Sequence, residues 1–76
     1  MTGQDTTTAV LEIVRQVLDD PRVGPDDDLF DAGFDSLTVV RTAARVRERL
    51  GVDLPLGTYF DAATVSDLAA AVEEAR

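Results

Sequence analysis

The sequence predicts an all-α fold: a small bundle of three main helices plus a short helical turn, with a long loop between helices one and two. Two observations carry this prediction. Three segments repeat apolar residues at helical spacing, and no segment sustains the alternation of a half-buried strand. At 76 residues and 8.2 kDa the chain supports one modest core, because a domain this size buries only roughly 60% of the surface of its unfolded chain. Residues 1–76 are therefore expected to be a single domain, with its core at about 7–75.

The first helix is expected from about Thr7 to Leu18. Val10, Ile13, Val14 and Val17 follow the i, i+3, i+4, i+7 template. Asp5 or one of Thr6, Thr7 and Thr8 is placed to cap it, and Asp19-Asp20-Pro21 stops it, because proline disfavours a helical residue before it. A loop then runs from Asp20 to Phe34, through Pro21, Gly24, Pro25, the acidic run Asp26-Asp27-Asp28 and Gly33. Leu29 and Phe30 form an apolar pair inside it, and both are expected to pack onto the core. A loop this long is unusual in a compact domain and often functional.

The second helix is predicted from Ser36 to Leu50. Asp35 is a strong N-cap, and with that cap Phe34 and Val39 occupy the positions of a hydrophobic staple. Gly51 ends the helix as a C′ residue, with Val52 available for the accompanying apolar contact. Asp53-Leu54-Pro55-Leu56-Gly57 reads as an extended connector, and Thr58-Tyr59-Phe60-Asp61 as one helical turn. The last helix starts after Thr64, a good N-cap. Asp67 resembles the far partner of a capping box, and Val65, Leu68, Ala69 and Val72 form the apolar stripe.

Composition removes whole classes of function. The chain has no His, Cys, Lys, Asn or Trp. It cannot supply a Ser-His-Asp triad or a Ser-Lys pair, it lacks plausible ligands for structural zinc, and it has no disulfide framework. An enzyme is not expected, and neither is a metal site. Counting an EF-hand loop from Asp26 puts Phe30 at the fifth position, Asp31 at the sixth and Leu37 at the twelfth, all of which break that pattern. With 15 acidic residues against 7 arginines, the net charge of −8 makes nucleic acid a poor partner. The amino terminus lacks the basic and apolar regions of a signal peptide, and no stretch approaches a membrane span. A cytoplasmic monomer is the expectation. A start at Met1 and an end soon after the last helix suggest a stand-alone unit.

The informative segment is Gly33-Phe34-Asp35-Ser36-Leu37. Ser36 falls at the first turn of the longest helix, where unpaired N–H groups and the helix dipole favour an anion, so a phosphate ester on its hydroxyl would be well placed. Asp35 can cap the helix and also help hold a cation during phosphoryl transfer. By themselves, Asp and Ser at a helix start usually mean only a cap.

The wider pattern alters that balance. Leu29-Phe30-Asp31-Ala32-Gly33-Phe34-Asp35-Ser36-Leu37 resembles the modification site of the acyl carrier protein superfamily. The likeness continues through Gly51-Val52-Asp53-Leu54-Pro55-Leu56, Tyr59-Phe60-Asp61-Ala62-Ala63-Thr64-Val65 and Leu68-Ala69, covering about Val10 to Val72. The resemblance implies that Ser36 is the attachment point of a 4′-phosphopantetheine arm. A separate phosphopantetheinyl transferase would transfer it from coenzyme A with magnesium, with Asp35 and Leu37 at the same site. The arm's thiol would carry an acyl or aminoacyl group as a thioester, and all catalysis would come from partners.

Thr38 to Leu50 contains four arginines and one glutamate. With Leu54-Pro55-Leu56 and Thr64-Val65, it looks most like the peptidyl carriers of nonribosomal peptide synthesis. Gly33-Phe34 departs from the Gly-Gly usual there and keeps an acyl carrier of polyketide or fatty acid synthesis as the alternative. The implied partners are an adenylation enzyme or acyltransferase that loads the arm, then condensation or tailoring enzymes, in secondary-metabolite biosynthesis. A reading of a different class is an unmodified acidic helical adaptor.

At about 100° per residue from Ser36, Val39, Ala43, Val46 and Leu50 share an arc of roughly 60°, suited to a core stripe. Leu37, Val40 and Ala44 form a second arc. A partner surface at Leu37, Val40 and Ala44, flanked by Arg41 and Arg47, is expected if that arc is exposed.

Overall fold

The computed structural model describes residues 2–76. Five helices follow one another: α1 (Thr2–Leu18), α2 (Leu29–Ala32), α3 (Ser36–Leu50), α4 (Leu56–Asp61) and α5 (Val65–Ala75). There is no strand among the described residues. One isolated antiparallel bridge joins Asp28 to Thr64. α1 packs against α5 and α3, while the short α4 closes the gap between α3 and α5. No helix of the described residues is long and apolar enough to cross a membrane.

One cluster forms the core. Val10, Ile13 and Val14 of α1 meet Val39 and Val46 of α3, Tyr59 of α4, and Val65, Leu68 and Val72 of α5, all fully buried. The stripes expected on α1 and α5 supply this cluster. On α3 the buried face is rotated from the expected arc: Ala43 and Leu50 are only partly buried, and Thr42 is fully buried. Thr42 is tolerated there because its hydroxyl donates to the Thr38 carbonyl one turn back at 2.7 Å.

The helix ends largely follow their local signals. Asp35 and Thr64 cap α3 and α5 from extended backbone. Gly51 ends α3 at φ +69°, in the left-handed region, its N–H donating to the Arg47 carbonyl at 3.1 Å. Phe34 and Val39 are both buried at the staple positions, and Val52 is buried just past Gly51. At α5 the Thr64 hydroxyl accepts from the Asp67 N–H at 3.1 Å, which is half of the expected box.

Four expectations need correction. α1 begins at Thr2, not near Thr7, so Thr6, Thr7 and Thr8 lie within the helix and do not cap it; the Asp5 side chain lies outside those described. Thr6 is buried and donates to a Glu73 carboxylate oxygen, and Arg76 donates to the Thr6 hydroxyl at 3.2 Å. Contact with the distal end of α5 thus occupies the added turn. Second, the loop from Asp20 to Phe34 contains the helix α2. Third, the connector is shorter than expected, because α4 starts at Leu56.

Fourth, Phe30 is not buried. Leu29 is fully buried but Phe30 is 44% exposed. Neighbouring residues on a helix point about 100° apart, so with Leu29 turned inward the Phe30 side chain leaves α2 in a different direction. Leu29 is the one turned inward because its N–H donates to the Ala63 carbonyl at 2.8 Å, which docks the start of α2 on the α4–α5 junction. Phe30 stays at the surface and meets the Phe34 ring edge-on, with centroids 6.4 Å apart.

Candidate functional site

Ser36 is the first residue of α3, and three devices fix the backbone that leads to it. Gly33 takes φ +125°, a conformation that favours glycine, and its N–H donates to the Phe30 carbonyl at 3.2 Å to close α2. Phe34 follows, buried, with its N–H donating to the Leu29 carbonyl at 2.9 Å. Asp35 then makes a reciprocal cap with Thr38. The Thr38 N–H donates to Asp35 Oδ1 at 2.9 Å, and the Asp35 N–H donates to Thr38 Oγ1 at 2.7 Å. Sequence reasoning missed this box because threonine, not Glu or Gln, stands at its third position. An Asp-x-x-Thr pattern was the available signal.

This cap also sets the charge at the site. The Thr38 backbone N–H holds the Asp35 carboxyl below its ordinary value of 3.8, helped by the Thr38 hydroxyl, the Leu37 N–H and the Arg41 charge. An ionised carboxylate therefore stands beside the serine at neutral pH. It suits the positive end of the helix dipole.

The chain contains two serines, and their surroundings differ. Ser36 is exposed, and its hydroxyl has no partner among the described residues. Ser66 is half-buried in the first turn of α5. Its N–H donates to the Pro25 carbonyl at 3.0 Å and its hydroxyl to Asp26 Oδ1 at 3.4 Å. A long flexible substituent meets open solvent at Ser36, whereas at Ser66 it would break contacts that hold the loop down.

The remaining candidate residues gather on one face of α3. Leu37 is 59% exposed and Val40 51%, while Ala44 is half-buried; Arg41 and Arg47 are exposed on either side of them. Val40, Ala44 and Arg47 line a groove of about 400 Å³, whose other wall is Asp53, Leu54, Pro55 and Leu56. Sequence reasoning missed this wall, which only the packing of α4 against α3 brings opposite Val40. A larger concavity of about 460 Å³, not lined by Ser36, lies among Asp20, Arg22, Asp27, Asp28 and Asp31. Three of its carboxylates already have structural partners. Asp20 pairs with Arg22 at 3.2 Å, Asp27 accepts from the Gly24 N–H at 2.7 Å, and Asp28 caps α2. The acidic run thus shapes the loop.

The chain that sets this exposed serine at an aspartate-capped helix start is matched over residues 8–72 by the family model described as "Phosphopantetheine attachment site". The chain belongs to this family. Members hold 4′-phosphopantetheine covalently on a serine, and the exposure of Ser36 fits such a group without displacing any contact. The phosphopantetheine-attachment domain is also similar to segments of much longer proteins. It is 44% identical, over 96% of its own length, to a dimodular nonribosomal peptide synthase of Bacillus subtilis. It is 36% identical, over 99% of its length, to the phosphinothricin tripeptide synthetase PhsB of Streptomyces viridochromogenes. Malpibaldin synthetase of Mortierella alpina is 45% identical over 86% of it. The chain spans only 3%, 6% and 1% of these relatives, respectively.

Proposed function

We propose that Ser36 carries the phosphopantetheine arm and that the domain is a peptidyl carrier of nonribosomal peptide synthesis. The observation that supports Ser36 is the contrast between the two serines: one exposed and unpartnered at a capped helix start, the other tied into the loop. The names of the Bacillus and Streptomyces relatives, a peptide synthase and a tripeptide synthetase, support the aminoacyl subtype. The arm, when bound, supplies a terminal thiol that holds the carried unit as a thioester. The chain's own residues do the positioning. Asp35 and Thr38 hold the first turn of α3 still, and Gly33 and Phe34 set the angle at which the loop enters it. Ser36 needs no base from this chain, because the phosphopantetheinyl transferase provides one. On this reading an adenylating enzyme loads the arm, and condensation or tailoring enzymes receive the carried unit. They dock on Leu37, Val40 and Ala44 between Arg41 and Arg47.

Incubation with coenzyme A, magnesium and a promiscuous transferase tests this. The intact mass should rise by one phosphopantetheinyl group in the wild type and in Ser66→Ala, and not in Ser36→Ala, whose helical signal should be unchanged. A rise in Ser36→Ala would move the attachment point; no rise in the wild type with any transferase would remove the carrier reading. Loading of the modified form with an amino acid by an adenylating enzyme tests the subtype. Loading only by an acyltransferase or ketosynthase would reassign the domain to polyketide or fatty acid synthesis.

A further inference from the structure

The charges of this domain are strongly segregated. α3 has four arginines and one glutamate, a net charge of +3, whereas the whole chain is at −8, so the other residues together carry −11. All three arginines outside α3 have polar partners: Arg15 donates to the Val23 carbonyl, Arg22 pairs with Asp20, and Arg76 donates to Thr6. Within α3, Arg49 pairs with Glu12 at 3.3 Å. Arg41, Arg45 and Arg47 have no ion pair within 4 Å among the described residues. At about 100° per residue from Ser36, Arg47 falls near 20°, Val40 near 40°, Ala44 near 80°, Leu37 near 100°, Arg41 near 140° and Arg45 near 180°. The unpaired guanidinium groups therefore bracket the exposed apolar strip. Glu48, near 120°, Asp53, on the groove wall, and Asp35, whose carboxylate feels the Arg41 charge but is held by Thr38, are acidic groups facing the same region.

We propose that this face takes a protein partner whose docking element is an apolar ridge rimmed by carboxylates. The ridge seats against Leu37 and Val40 and in the groove closed by Leu54 and Leu56, and its acids meet Arg41, Arg47 and Arg45. This rests on the carrier reading and adds the polarity of the partner. The net charge of the chain argues for the opposite, a basic partner, and physical scale decides between them. Charges further apart than about 10 Å are largely screened at 0.1 M salt, and the molecule measures 27 × 23 × 19 Å. Carboxylates on the far side of the bundle are thus weakly felt at α3, while its arginines border the docking strip itself. Partners with basic docking surfaces are repelled at contact range, so the arginines select against them as well as for acidic ones.

Two helical peptides with the same Leu/Phe face, one flanked by glutamates and one by lysines, serve as probes. Binding is read from amide NMR shifts of the full chain in 0.1 M salt. The Glu-flanked peptide should bind about fivefold or more tightly, given two or three rim pairs that change from attraction to repulsion. It should shift Leu37, Val40, Ala44 and Leu56. The preference should narrow at 0.5 M salt and be lost or inverted in Arg41→Glu/Arg47→Glu, whose exposed sites leave the fold intact. Equal binding, stronger binding of the Lys-flanked peptide, no binding of either, or shifts on α1 and α5 would each overturn the proposal. Concentration-dependent shifts without peptide, linking α3 to residues 26–31, would give the face to a second copy and overturn it too. The mass gain at Ser36, measured on the same samples, reports on the carrier reading separately, so either can fail while the other stands.

Discussion

Leu29→Ala and Phe30→Ala differ by one position in the chain and should differ severalfold in their effect on stability. Leu29 is fully buried, between the start of α2 and the α4–α5 junction. Truncating a leucine so placed costs about 3 kcal/mol, the lost transfer energy plus a cavity that the surroundings only partly fill. Phe30 is 44% exposed and its ring touches Phe34 by an edge. Its truncation should cost about 1 kcal/mol, well below the roughly 3–5 kcal/mol of a fully buried phenylalanine. For 76 residues the entropy of unfolding is about 0.16 kcal/mol/K near the midpoint. The two losses then correspond to falls in Tm of about 20 °C for Leu29→Ala and about 6 °C for Phe30→Ala. A domain this size holds only about 4–11 kcal/mol in total, so the first variant should be marginal at 37 °C and the second comfortably folded. Far-UV circular dichroism against temperature, with urea titrations to check that m is unchanged, measures both. Equal shifts, or a larger one for Phe30→Ala, would refute this account of how α2 docks.

Tyr59 is fully buried, its hydroxyl has no partner among the described residues, and burial, aided by the Asp53 charge, pushes its pKa up to about 12. Tyr59→Phe should be neutral or stabilising by up to about 1 kcal/mol, because it removes a buried polar group that has no bond to lose. The phenol should titrate near 12 in the folded chain by ultraviolet absorbance, against about 10 in urea. Its contribution to stability is complete below the unfolded value and is lost as pH rises through the folded one. A midpoint near 10 in the native protein would show the ring to be wet. Asp35 behaves in the opposite sense. Its folded pKa lies below 3.8, so its contribution is complete above that value and is lost as pH falls through the folded pKa. Asp35→Asn, still a good cap, should show a constant stability difference from wild type above about pH 5 and a shrinking one below about pH 4. A difference that does not vary with pH would show that the carboxylate charge does not act at this cap.

Ser36, Asp35, Gly51 and Thr64 were legible in the chain itself, and so were the limits of α3. Their signals are local: a side-chain oxygen bonding an N–H three residues on, or a glycine taking a conformation other residues resist, operates within one turn. The stripes Val10-Ile13-Val14 and Val65-Leu68-Ala69-Val72 were legible for the same reason, since a helix carries its own period. What the sequence left open was every choice made between elements distant in the chain. Whether Leu29 or Phe30 turns inward depends on the Ala63 carbonyl. Whether Thr42 is core depends on how α3 is rotated against α1. Whether Ser36 or Ser66 stays free depends on the Pro25–Asp26 loop folding over the start of α5. The strip from Leu37 to Ala44 is apolar in any conformation of the chain. It is a surface because α1 fills the opposite side of α3 while α4 stops at its edge, and exposure is a property of the neighbours that arrive, not of the residues that wait for them.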